Sequence, residues 1–237
     1  MTPRTPIWKA IATSLRSDIA EGLYVAGDKL PTEAVLATRF GVNRHTVRHA
    51  LATLADESMV HARRGAGVFV TTTPTNYPIG RRVRFHQNLR AAGRTPAKRI
   101  LLLETRVAHA SEAEALKLEH CAQVNVYEGI SLLEDRPVAL FRSVFPAERF
   151  PSLLTHLRND PSVTAALMQF GVTDYTRAST KVNAKLANAT QALHLQISEY
   201  EPVLRTISVN IDPDGKPIEV GRTWFSGDKV TLTLGDP

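Results

Sequence analysis

The 237-residue chain has a single cysteine, Cys121. One thiol closes no internal disulfide and builds no cysteine-based metal site, and the expected role of Cys121 is a small buried apolar group after a helix. Long apolar runs are also lacking. Charged and small residues interrupt every hydrophobic stretch, so neither a membrane span nor a signal peptide is expected, and the cytoplasm is the expected compartment. Catalytic signatures are missing too: there is no Gly-x-Ser-x-Gly, no His-Glu-x-x-His, no P-loop and no Gly-x-Gly-x-x-Gly. The eight histidines show no ligand spacing, and neither a metal nor a cofactor is expected.

Acidic residues are scarce at one end. From Met1 to Leu103 there are 6 acids against 16 lysines and arginines, whereas the remainder carries 17 against 13. The N-terminal part therefore suits a polyanion and the C-terminal part does not. With 43% apolar and 22% charged residues the chain has the material for a small and a medium domain.

Ile7, Ala10, Ile11, Leu15 and Ile19 recur at helical spacing and mark a first amphipathic helix that ends near Gly22. Thr32 can cap a second helix that starts at Glu33, carries Leu36, Ala37 and Phe40, and stops at Gly41. Only Gly41 and Val42 separate it from Asn43, the cap of a third helix running to about Ser58. Two short helices across so tight a turn form a helix-turn-helix.

In the third helix Val47, Ala50, Leu51 and Leu54 face a core, which leaves Arg44, His45, Arg48 and His49 pointing outward. Arg44 lies in the first turn, where a guanidinium can donate two parallel bonds to guanine O6 and N7. Thr46, His45 and Asn43 can donate to phosphates. Next, Met59–His61 and Val68–Val70 read as two strands around a flexible tip, Arg63-Arg64-Gly65-Ala66-Gly67, which makes a basic β-hairpin wing.

Lys29-Leu30-Pro31-Thr32-Glu33, then Arg39-Phe40-Gly41-Val42-Asn43-Arg44-His45-Thr46-Val47-Arg48, then Gly65-Ala66-Gly67-Val68-Phe69-Val70 strongly resemble the GntR superfamily of bacterial regulators. Tyr77-Pro78, Arg84-Phe85, Gln87-Asn88-Leu89, Phe145 to Pro151, Asp174 to Val182 and Gly215 to Glu219 resemble its HutC branch, and within that branch the phosphonate-metabolism regulators. The resemblance implies a homodimer on a palindromic operator in double-stranded DNA. It also implies a chorismate-lyase-like UTRA effector domain for a small anionic ligand. The expected DNA-facing set is Lys29, Thr32, Glu33, Arg39, Asn43, Arg44, His45, Thr46, Arg48, Arg63, Arg64 and Gly65. The effector contacts that the resemblance implies are Phe85, Asn88, Arg142, Ser143, Tyr175, Arg177, Ser179, Glu219 and Arg222.

Residues 72–82, with Pro74, Pro78 and Gly80, suit a linker between a winged helix-turn-helix domain over 1–71 and an effector domain over 83–237. Strand-like runs cover Arg99–Val107, Val124–Leu132, Val138–Phe145, Thr176–Leu186, Val203–Ile211 and Ile218–Phe225. Three helices punctuate them. A Ser111 and Glu114 capping box opens one, Asp160 to Gly171 frames another, and Asn188 with Gln191 opens the last. With an Asp214-Gly215 hairpin joining the final two strands, an α+β fold with a mostly antiparallel sheet is expected.

Residues 81–99 hold Arg81, Arg82, Arg84, Arg90, Arg94, Lys98 and Arg99 without an acid, suited to an anionic ligand, to DNA or to solvent. Many HutC-type chains carry a basic residue around Glu128 and Gly129 and often a glutamate where Phe141 stands. Here both are absent, so either the ligand's acidic group falls to other donors, Arg142 or Arg177, or the ligand differs from the family's usual one. A repressor of phosphonate uptake or metabolism genes is the expected function. Two alternatives stay open: a repressor sensing a sugar phosphate or a histidine-degradation product, and a chorismate-lyase-like enzyme with a regulatory DNA-binding domain.

Overall fold

The computed structural model describes residues 6–63, 65–71, 74–80 and 95–234, in two compact units that divide between residues 73 and 74. In the first unit, helices α1 (Ile7–Ala20), α2 (Glu33–Phe40) and α3 (Arg44–Asp56) precede an antiparallel hairpin of β1 (Val60–Arg63) and β2 (Gly67–Val70). Its core joins Ile11, Ala12 and Leu15 of α1 to Leu36 and Ala37 of α2 and Val47, Ala50, Leu51 and Leu54 of α3. Leu30, Val60 and Val70 close it. Leu15, Leu36 and Leu54 are fully buried, each stabilising the unit by about 1.5–3 kcal/mol relative to exposure. The helical period placed α3 correctly, but on α1 the face is turned: Ile7 and Ala10 are exposed and Ala12 is buried.

Both helix starts carry the expected caps. Thr32 accepts the Val35 N–H at 3.4 Å, and Asn43 Oδ1 accepts the Thr46 N–H at 2.9 Å. Gly41, at φ +64°, ends α2 in the left-handed region that glycine adopts without a Cβ penalty. The segment before α2 adds a third element to the wing, with Leu30 N donating to Val68 O at 2.8 Å and Val70 N to Asp28 O at 2.9 Å.

The second unit is built on a six-stranded antiparallel sheet in the order β4 (Pro96–Val107), β5 (Gln123–Leu133), β6 (Arg136–Pro146), β9 (Pro217–Ser226), β8 (Pro202–Ile211) and β7 (Thr176–Leu186). Helices α4 (Ala110–Leu116) and α7 (Ala189–Leu195) cover one face through Leu116 on Val124, Val126 and Val144, and Leu195 on Ile130 and Leu140. On the other face α5 (Leu153–Asn159) and α6 (Val163–Met168) pack Leu153, Leu157 and Leu167 against Tyr127, Phe141 and Phe145. The architecture is the expected α+β fold with a mostly antiparallel sheet.

Several local readings differ. Within the stretch read as a linker, β3 (Thr75–Pro78) pairs in parallel with β10 (Val230–Thr233), and the Tyr77 ring meets Phe225 edge-on at 4.6 Å. Helix α4 starts two residues before the expected capping box. Glu112 reaches back to the His109 N–H at 2.9 Å because Arg106 holds its carboxylate there, at 2.8 and 2.9 Å. Asp160 ends α5 rather than opening the next helix, and Ser162 caps α6 by accepting the Ala165 N–H at 3.2 Å. Cys121 is exposed at φ +63°, its Sγ 2.8 Å from His120 Nδ1, and not buried as expected. The Asp214-Gly215 turn is as read, with Gly215 at φ +79°.

Candidate nucleic-acid interface and effector site

Arg44 and His45 open α3, both exposed and without a hydrogen bond or ion pair among the described residues. Both attract the Glu33 carboxylate without bonding it. Arg48, Arg39 and Arg63 of the expected interface are engaged. Arg48 grips Glu33 with two bonds of 2.9 and 2.7 Å, tying α3 to the start of α2, and that bond holds the Glu33 carboxyl below its ordinary 4.5. Arg39 is 2.7 Å from Asp18 of α1. Asn43 Oδ1 also accepts the Thr46 hydroxyl at 2.9 Å, so both side chains serve the cap, and Thr32 serves the cap of α2.

On the wing, Arg63 lies at the end of β1 rather than in the tip. Its guanidinium sits 4.6 Å over the Phe69 ring and donates to His61 Nε2 at 3.1 Å. Gly67 has φ +120°, and a Cβ there would stand 2.8 Å from Lys29 Cε. Glycine thus lets Lys29 lie against the hairpin. Gly65 is exposed at φ +75°, and Arg64 lies outside the described residues. His49, read as facing outward, stacks on Trp8 of α1 at 4.1 Å.

Cross-strand neighbours share a face of a sheet. The register therefore divides the expected effector residues between the two faces of the second unit. On the side of α4, Arg142 pairs with Arg222, and Val220 with Val209, itself opposite Ser179. There a cleft of about 420 Å³ is lined by Arg142, Arg222, Ser179, Lys181, Ser111 and Glu112, among others. Arg142 is neutralised by Glu128 and Glu112 by Arg106.

The opposite face carries Tyr127 and Ser143 in one row with Gly221 and Ser208, and Glu219 beside Asn210 and Arg177. Lys98 stands on this face opposite Ser131, in alternation with Gly129 and Tyr127. Ser131, Ser143, Thr206, Ser208, Asn210 and Glu219 are all at most 9% exposed. So many buried polar side chains in one patch cost stability unless they meet partners. Glu219 accepts from Asn210 Nδ2 at 2.7 Å, Arg177 Nε is buried without a hydrogen-bond partner among the described residues, and Tyr175 bonds Thr164 at 2.9 Å.

Burial pushes the Tyr77 phenol up to about 12, with Arg177 opposing and Glu219 and Tyr175 adding to the shift. Lys98 is pulled down to about 8 by burial, against the attraction of Glu219 and Asp160. Glu219 thus acts on both Tyr77 and Lys98, and Arg177 and Tyr175 act on Tyr77. Ser143, Tyr175, Arg177 and Glu219 were expected from the resemblance, and Lys98 only as one of the basic run 81–99 suited to an anionic ligand, to DNA or to solvent. Phe85 and Asn88 lie outside the described residues. The buried polar face, chemically richer than the open cleft, is the stronger candidate for ligand binding.

Two family models match the two units: residues 8–70 match the gntR family of bacterial regulatory proteins, and residues 91–231 match the UTRA domain. The chain belongs to the GntR family and carries a UTRA domain. It is 37% identical to an uncharacterized HTH-type transcriptional regulator of Rhizobium meliloti, over 96% of this chain and 94% of that protein. It is also 30% identical to the probable transcriptional regulator PhnF of Escherichia coli, over 96% and 94%. Among solved structures, PhnF from Mycobacterium smegmatis superposes with a TM-score of 0.65 at 26% identity, covering 96% of this chain and 99% of that one. This GntR-family protein is a transcriptional regulator and not an enzyme. Among the described residues no helix is long and apolar enough to cross a membrane.

Proposed function

We propose that this GntR-family regulator is a cytoplasmic homodimeric repressor of phosphonate uptake or metabolism genes, released from or retained on a palindromic operator by a small anionic ligand. The observation that carries the DNA half is the pair Arg44 and His45, exposed at the start of α3 with no hydrogen bond or ion pair among the described residues. An arginine in that position reads a guanine, while the arginines tied to Glu33 and Asp18 hold the unit together. For the ligand half, the buried face with Lys98, Arg177 and Glu219 supports a charged molecule of modest size. Resemblance to the phosphonate-metabolism regulators selects phosphonates or phosphate esters within that class. The domain reading is a winged helix-turn-helix that ends near residue 71, followed by an effector unit.

Ligand binding acts by population shift: the molecule stabilises the arrangement it binds more tightly, and operator affinity changes by the same differential free energy. A gel shift on the promoter upstream of the protein's own gene, titrated with methylphosphonate, inorganic phosphate, sugar phosphates and histidine-degradation products, tests this. A response to phosphonate or phosphate supports the proposal. A response to sugar phosphates alone assigns the site to that class instead.

A further inference from the structure

The ammonium of Lys98 is set on the buried face by an unusual neighbourhood. Its Nζ lies 5.1 Å from the Phe141 ring centroid and 5.6 Å from that of Tyr127, and it has no hydrogen bond or ion pair among the described residues. Gly129, next along that face of β5, makes this arrangement possible. A Cβ on Gly129 would stand 2.7 Å from both Arg99 O and Phe141 Cζ, so the ring occupies the space of a side chain at 129. Lys98 therefore lies over an aromatic floor. Lys98 is half-buried, and rings attract a cation weakly compared with an anion, so the ammonium stays open to an acceptor.

Across the same floor stands Glu219, 8% exposed, near enough to act on Lys98 electrostatically yet not within salt-bridge distance. Its Oε2 is taken by Asn210, and Oε1 accepts no bond among the described residues. Neither Lys98 Nζ nor Glu219 Oε1 is bonded among the described residues, so the one is open to an acceptor and the other to a donor.

Resting on the reading of this face as the effector site, we propose that Lys98 is the anion anchor and Glu219 the donor-seeking partner. The site then selects a small acid that carries an ammonium or hydroxyl group a short chain away from its anionic group. Such a molecule completes both side chains at once, whereas a simple anion completes only Lys98.

The test uses the full-length protein with three probes: inorganic phosphate, methylphosphonate and 2-aminoethylphosphonate. Calorimetric titration and thermal melting are run on the wild type, Lys98→Met, Lys98→Arg and Glu219→Gln. The wild type is expected to bind 2-aminoethylphosphonate about tenfold more tightly than methylphosphonate, and Glu219→Gln to erase that preference. Lys98→Met should weaken every probe about tenfold or more while melting no lower than the wild type, because Lys98 has no hydrogen bond or ion pair to lose among the described residues, and Lys98→Arg should restore part of the affinity. If probes bind and Lys98→Met binds them as the wild type does, or merely melts lower with binding intact, Lys98 is a strut on the rings and the inference is overturned. If no probe binds the wild type at millimolar concentration, the anionic-effector reading itself falls, and this inference with it.

Discussion

Replacing Arg44 by alanine separates DNA recognition from folding more cleanly than any other change in the first unit. Arg44 is the first residue of α3, is exposed, and has no hydrogen bond or ion pair among the described residues, so the folded state loses with it only a surface attraction for Glu33. A cation at a helix N-terminus is also unfavourable by about 0.3–1 kcal/mol. The melting temperature should therefore range from unchanged to about 4 °C higher. Operator binding should lose roughly 1–3 kcal/mol per half-site if the guanidinium grips a guanine with two bonds, or about 5- to 150-fold. Fluorescence anisotropy on the operator, on the operator with each candidate guanine replaced, and on scrambled DNA reads this directly. The affinity loss should vanish on the site whose guanine is replaced. An equal loss on operator and scrambled DNA would make Arg44 a phosphate contact and refute the placement. As a contrast, Arg39→Ala removes the bridge to Asp18 and should lower stability by up to about 1 kcal/mol.

Gly67→Ala should destabilise the first unit by about 1–3 kcal/mol, since φ is +120° and the new Cβ meets Lys29; a melt equal to wild type would disprove the steric reading. Asn125→Ala should cost about 1–3 kcal/mol in urea unfolding, because Asn125, 1% exposed, donates to Phe150 O at 2.7 Å and accepts from Thr105 at 2.7 Å. For Asp212, burial opposes the charge, but Arg149 at 2.5 Å and the Lys216 N–H at 2.8 Å outweigh it and hold the carboxyl below its ordinary 3.8. The stability that this pair supplies is then complete above the ordinary value and is lost as pH falls through the lowered one. Asp212→Asn should be less stable at neutral pH and show a shallower loss on acidification, measured by urea midpoints from pH 7 to 2; an unchanged acid slope would count against the pair.

The helix-turn-helix and wing were legible because their signals are local. Asn43 caps its own helix, Gly41 makes its own turn, and Val47, Ala50, Leu51 and Leu54 share one side whatever they pack against. Strand runs in the second unit were legible for the same reason. The pairing of Thr75–Pro78 with Val230–Thr233 was not, since two four-residue strands far apart in the chain carry no period long enough to read and Pro78 points to a linker. The capping box of α4 was misplaced because Arg106, on a different element, decides which glutamate turns back.

Sequence alone determined most of the helices and the long strands, the basic stretch from Met1 to Leu103 and the identity of the side chains able to read a base. Only tertiary structure decided which of those charges stay available: Glu33 and Asp18 neutralise Arg48 and Arg39 across helix boundaries, while Arg44 is left unpaired among the described residues. It likewise put Arg142 and Arg222 on one face of the sheet and Lys98, Arg177 and Glu219 on the other. Alternation along a strand says which residues share a side, but which side meets which cover depends on partners distant in the chain.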